Sequence, residues 1–217
     1  MENYINNVES NETMSKKVLI ATIYSAEPVL AAANKVGPDR LILLMDEDPD
    51  KKQKESLDLI KNSLGKVIDV KEVKTSVYDI VSVAKKVVEL IDMQPREDLI
   101  YINITSGRKT KALGLLFAAY ARAEYIEKIG YNPEEGSSAI YLPKLSFKLT
   151  KSQIEVLDLI SKNKISITKG MSYTELAKKA GISRAMLYRN IDDLRKMGLV
   201  EAENGLKLTD AGEIARL

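Results

Sequence analysis

Asn103, Thr105, Ser106, Gly107, Arg108 and Lys109 lie within one short stretch, and their types suit the recognition of an anion. Two hydroxyls and an amide can donate to phosphate oxygens, Gly107 permits close backbone approach, and the basic pair supplies charge. The stretch sits between an apolar segment expected to be a strand (Asp98 to Ile104) and a long apolar segment expected to be a helix (Lys111 to Ala123). In an open α/β sheet, ligands bind beyond the carboxyl ends of strands, where backbone N–H groups and a helix N-terminus favour negative charge. Two cations at a helix start are themselves disfavoured, by about 0.3–1 kcal/mol each, and an anion held there explains them better than a plain helix cap would. The spacing is not that of a nucleoside triphosphatase P-loop. Gly107-Arg108-Lys109-Thr110 carries one extra residue inserted in the motif's end, the upstream glycine is absent, and the position four before Gly107 holds Asn103.

Composition narrows the chemistry further. The 217 residues include no Cys and no His, which removes disulfides, Cys/His zinc sites and any catalytic pair built on His. No metal site, no catalytic residue and no resident cofactor are expected. The absence of a long apolar run or an apolar leader leads to the expectation of a cytoplasmic protein with no membrane partner. Net charge is only +2 but unevenly spread, with nine Lys/Arg against three carboxylates between Lys162 and Lys196. Clustered charge of this kind is what nucleic-acid binding requires.

The elements that must position these groups alternate. Apolar runs Lys17 to Tyr24, Arg40 to Met45, Val67 to Val73 and Asp98 to Ile104 are each followed by a helical pattern, up to Val36, over Pro49 to Leu64, over Ser76 to Met93, and from Lys111. Four strand–helix pairs imply a parallel sheet with helices on both faces. Glu124 to Gly130 and Ser138 to Pro143, separated by turn residues, predict a closing antiparallel hairpin. Glu27 is expected to be a first-turn carboxylate turned away from any polyphosphate. The fold class is therefore α/β, a Rossmann-like parallel sheet with a terminal β-hairpin, plus a second small domain.

That second domain reads as a winged helix-turn-helix. Helices over Thr150 to Ser161, Ser172 to Ala180 and Ser183 to Met197 are joined by the turn Ala180-Gly181-Ile182-Ser183, with Ser172 and Glu175 as a capping box. Asn204-Gly205 predicts the tight turn of a wing between Val200 and Leu208. Leu187, Ile191 and Leu194 form the buried stripe of the third helix. Ser183, Arg184, Ala185, Met186, Tyr188 and Arg189 are then offered to a DNA major groove, flanked by Lys178, Lys179, Arg195 and Lys196. The boundaries expected are a 1–15 tail, a 16–145 ligand-sensing domain and a 146–217 DNA-binding domain. A domain as small as the last buries only about 60% of its unfolded surface, so it should lean on the larger domain or on a second copy. The short segment Pro143 to Lys148 is expected to couple the two domains.

Both halves together resemble one family. Asn103-x-Thr105-x-x-x-Lys109 between strand and helix is similar to the second signature of CARF domains, the Rossmann-like sensors of CRISPR-Cas systems, and Thr22-Ile23-Tyr24-Ser25 stands where their first loop should be. The domain order resembles that of their archaeal transcriptional regulators over about residues 16 to 217. The resemblance implies a homodimer with a cyclic oligoadenylate at its interface and cyclic tetra-adenylate as effector. It also implies a ligand site lined by Thr22, Tyr24, Ser25, Asn103, Thr105, Ser106, Gly107, Arg108 and Lys109, and control of CRISPR-associated promoters through double-stranded DNA. Alternatives are a ring nuclease that slowly cleaves its cyclic ligand and a regulator sensing another nucleotide.

Overall fold

A computed structural model describes residues 15–133, 138–145, 149–163, 172–201 and 205–217. The expected N-terminal tail, most of the Asn132-Pro133-Glu134-Glu135-Gly136 turn, the end of the Pro143 to Lys148 connection, part of the basic stretch and Asn204 of the wing lie outside the described residues.

The strands β1 (Lys17–Thr22) and β2 (Arg40–Asp46) are buried almost end to end, as central parallel strands covered on both faces must be. Their side chains alternate between two cores. Val18, Ile20, Ile42 and Leu44 face α3 (Ile80–Asp92) and α4 (Lys109–Ala121), whereas Leu19, Ala21, Leu41 and Leu43 face α1 (Ala26–Val36) and α2 (Lys51–Leu64). The edge strand β3 (Asp69–Thr75) is mostly exposed and charged, a composition that discourages pairing with another edge. With β4 (Leu99–Asn103), β5 (Ile126–Tyr131) and β6 (Ile140–Leu142), the sheet order is β3-β2-β1-β4-β5-β6. The expected hairpin pairs β5 and β6 antiparallel, but β5 is also a fifth parallel strand beside β4.

Helix starts shift for local reasons. α3 begins at Ile80 rather than near Ser76, because Asp79 caps it by accepting from Ser82 N at 2.8 Å. α2 begins after Asp50, which accepts from Gln53 N. Gly114 lets α4 press against α3: a Cβ there would lie 2.6 Å from Val83 Cγ1.

The second domain packs α5 (Lys151–Asn163), α6 (Tyr173–Lys179) and α7 (Arg184–Lys196) around Val156, Leu157, Leu176, Leu187, Ile191 and Leu194, and the Ser172–Glu175 capping box is present. The wing strands β7 (Val200–Glu201) and β8 (Lys207–Leu208) pair antiparallel, with Gly205 at φ +101°. The last helix, α8 (Asp210–Ala215), leans on α3 and α4 of the first domain, as a core of this size requires.

Candidate functional site

The sheet order reverses between β1 and β4, so their outgoing loops diverge to opposite faces and leave a crevice at their carboxyl ends. That is where an open α/β sheet binds its ligand. A cleft of about 640 Å³ lies there, lined by Tyr24 and Ser25 after β1, Thr105 to Gly107 after β4, and Asn132 after β5. The first and second expected signatures thus meet across one opening.

Within it the residues divide into those that face the cleft and those that build it. Thr22 is wholly buried and donates to the Ser106 carbonyl. Ser106, also buried, accepts from Tyr24 N at 2.9 Å and Ser25 N at 3.0 Å and donates to Ser25 O at 3.1 Å. These two residues tie the two loops together, and Ser106 also borders the cleft. Asn103 is likewise buried, with Oδ1 accepting from Thr105 N at 3.2 Å and Nδ2 donating to Asn132 Oδ1 at 3.4 Å. Thr105 Oγ1 in turn accepts from Asn132 N at 2.8 Å, so the β5 loop is pinned to the same motif. Gly107 is required twice over. Its φ is +87°, and a Cβ would lie 2.9 Å from Thr22 Cβ, so the β4 loop could not close onto β1 with any other residue.

Arg108 and Lys109 are not among the described residues that border this cleft. Arg108 turns to Asp46, its Nε 3.0 Å from Oδ2, because the end of β2 presents a buried carboxylate beside the start of α4. Lys109 is exposed in the first turn of α4. The basic residues that border the cleft are Lys35 from α1 and Lys52 from α2, the latter 4.9 Å over the Tyr24 ring. Glu27 does sit in the first turn of α1, yet it also borders the cleft rather than turning away. The hydroxyl of Tyr24 donates to Asp50 Oδ2 at 3.2 Å, and this bond with the Asp50 charge raises the phenol's pKa.

At the carboxyl ends of β2 and β3 lies a group that sequence reasoning missed. Lys111 is 0% exposed, with Nζ 2.9 Å from Asp46 Oδ1, 3.1 Å from the Thr75 carbonyl and bonded to the Met45 carbonyl. The Asp46 contact is an ion pair without hydrogen-bond geometry, which leaves Oδ1 lacking a hydrogen-bond donor. Burial pushes the Asp46 carboxyl up, but the close Lys111 ammonium and the hydrogen bond and charge of Arg108 outweigh it and hold the pKa below the ordinary value. Burial pulls Lys111 below its ordinary value, with Asp46 opposing. Lys52 was legible by the argument used for Arg108, since it too stands in a first helical turn after a strand end. The buried Lys111 was not, because a Lys in an apolar helix reads as a solvent-facing position.

In the second domain, Arg184, Ala185, Met186, Tyr188, Arg189, Arg195 and Lys196 are exposed along α7, with Lys178 and Lys179 exposed at the end of α6. Ser183 caps α7, accepting from Met186 N at 3.2 Å, so its hydroxyl is already engaged. Tyr188 is braced by Tyr173, ring centroids 5.3 Å apart, and by Arg184 at 6.0 Å. Lys196 pairs with Asp192 at 2.7 Å. Asn190, a fourth residue on the buried face, donates to Ser152 Oγ on α5 at 3.2 Å. No described helix is long and apolar enough to cross a membrane.

The family model described as HFX_2341_N-like, N-terminal, matches residues 17–136, and an HTH domain model matches residues 162–206. No protein of curated function matches the chain. Among solved structures, Can2 from Sulfobacillus thermosulfidooxidans, in complex with cyclic tetra-adenylate, is 17% identical over 91% of this chain and 62% of that one, with a TM-score of 0.49. Csm6 from Enterococcus italicus, bound to cyclic hexa-2'-fluoro-hexa-dAMP, is 14% identical over 85% and 55%, with a TM-score of 0.49. VC1899 from Vibrio cholerae is 11% identical over 92% and 65%, with a TM-score of 0.48. This chain spans less than two thirds of each, and likenesses this remote establish no shared function. Residues 17–136 make up more than half of the chain, and by that match the chain belongs to the HFX_2341_N-like, N-terminal family, here joined to an HTH domain.

Proposed function

We propose that the chain is a ligand-responsive, homodimeric DNA-binding regulator of CRISPR-Cas genes that senses a cyclic oligoadenylate in the β1–β4 cleft. The observation that carries the reading is the pairing, in one chain, of a basic-rimmed cleft at the sheet's switch point with a helix-turn-helix whose α7 exposes Arg184 and Arg189. The motif resemblance to CARF domains supports the nucleotide class, and the cleft's mixture of Lys35, Lys52, Tyr24 and hydroxyls suits phosphates and bases together. A two-fold dimer would place two copies of α7 on half-sites about 34–36 Å apart. The role is recognition rather than turnover.

Titration calorimetry with cyclic tetra-adenylate, followed by gel shifts on CRISPR-associated promoter DNA with and without it, tests the reading. Binding of the adenylate together with a change in DNA affinity is the expected result. Absence of adenylate binding would sink the ligand assignment, and linear products on incubation with excess protein would make the protein a ring nuclease.

A further inference from the structure

Helix α4 follows, one residue on, the Thr105–Gly107 loop that borders the cleft, and it ends at the contact between the two domains. In its first turn Thr110 donates to the Val77 carbonyl, and Lys111 reaches Asp46 and the Thr75 carbonyl. Its C-cap, Arg122, grips Asp92 at the end of α3 through Nε and Nη2, both at 2.8 Å, and donates through Nη1 to the Leu217 carbonyl beyond α8. Leu217 packs against the first domain's core. Beside this contact, Lys85 of α3 lies 2.9 Å from Glu213 of α8, which also accepts from Ser161 and pairs with Arg216.

We propose that α4 is a rigid relay from the cleft to this contact, and that the contact is a latch whose closure depends on the cleft's state. The inference rests on the proposed sensing role for its biological meaning, but its physical content does not need a ligand. Thirteen helical residues span about 20 Å and move as a rod. Gly114 seats that rod against Val83, so α3 and α4 carry Arg122, Asp92 and Lys85 together. The latch is built to open. Lys85 and Glu213 are 40% and 24% exposed, and half-exposed ion pairs contribute little each. A few weak contacts at the end of a stiff lever make an element whose two states a small shift at the other end can exchange.

The absence of native cysteine makes a direct test possible. Lys54→Cys on α2 and Glu155→Cys on α5, both exposed, carry spin labels in the full chain, diluted with excess unlabelled protein. One narrow inter-label distance is expected, lost to a broad distribution in Arg122→Ala combined with Lys85→Ala. Gly107→Ala, which forces the β4 loop away from β1 just before α4, and Thr110→Val, which frees the first turn of α4 from the Val77 carbonyl, are expected to shift or broaden the same distance without ligand. Unchanged distances in the folded Thr110→Val and Gly107→Ala proteins would overturn the relay, and an unchanged distance in the Arg122–Lys85 variant would overturn the latch. If cyclic tetra-adenylate binds by calorimetry and leaves the distance unmoved, the relay is also wrong. If it does not bind at all, the ligand reading fails and the variants alone decide the relay.

Discussion

Lys111 Nζ lies 2.9 Å from Asp46 Oδ1, joining the first turn of α4 to the end of β2, with the lysine wholly buried. Removing Lys111 leaves the buried Asp46 with Arg108 alone and takes a donor from the Met45 and Thr75 carbonyls. Lys111→Met is therefore expected to destabilise the fold by about 3–5 kcal/mol, with Lys111→Met/Asp46→Leu recovering most of it. Thermal melts of the three proteins check this, and a single variant as stable as wild type would contradict it.

The same pair sets a pH dependence. Asp46 has a lowered folded pKa, so its contribution is fully present above the ordinary carboxylate value of about 3.9 and is lost as pH falls through the folded value. Lys111 is also lowered, so its burial cost is relieved as pH rises from its folded value toward about 10.4. Denaturant titrations should show wild type losing more stability than Asp46→Asn on acidification. Equal losses would mean that Asp46 is not the group responsible.

At the cleft, Lys52→Ala should weaken cyclic tetra-adenylate binding by about tenfold or more, since a charge-assisted contact is worth about 1.5–3 kcal/mol. Arg108→Ala should cost less, because Arg108 is held on Asp46 rather than on the cleft wall. Thr105→Val should also weaken binding, by freeing Asn132 N as well as removing a hydroxyl. Calorimetry on the three variants ranks them, and a larger loss for Arg108→Ala than for Lys52→Ala reverses the assignment.

On α7 and α6, base and phosphate contacts should separate. Lys178→Ala or Lys179→Ala should lower affinity for all DNA and reduce the salt slope by about one unit per lost phosphate contact. Arg189→Ala should instead erode the preference for the specific site. Gel shifts across salt concentrations on specific and random DNA measure both effects, and identical behaviour of the variants would remove Arg189 as a base reader.

Gly114→Ala should push α4 from α3, costing about 1–3 kcal/mol by overpacking against Val83. A melt within error of wild type would show that the two helices can separate freely.

Periodicity and punctuation made the framework legible in the sequence. The strand–helix alternation from Lys17, the Ser172–Glu175 capping box and the turn before Ser183 are local signals, and each element stands within a few residues of its expected place. The bounds that moved did so through single side chains, as when Asp79 rather than Ser76 began α3. What the local pattern could not supply was direction. Thr22, Asn103 and Ser106 have the chemistry of ligand contacts, but a hydroxyl or amide at a strand end serves equally to join loops, and where the β4 loop stacks on the β1 loop these three also act as joints, with Ser106 still bordering the cleft. Arg108 is held by a carboxylate that follows from β2 lying beside β1, a pairing between residues 62 apart. Composition and spacing thus determined that this chain has a parallel α/β domain with an anion-suited loop and a basic helix-turn-helix. Only the tertiary structure decided which cations border the cleft, that Lys111 is buried, and that α4 ends where the second domain docks, because long-range pairing sets those distances.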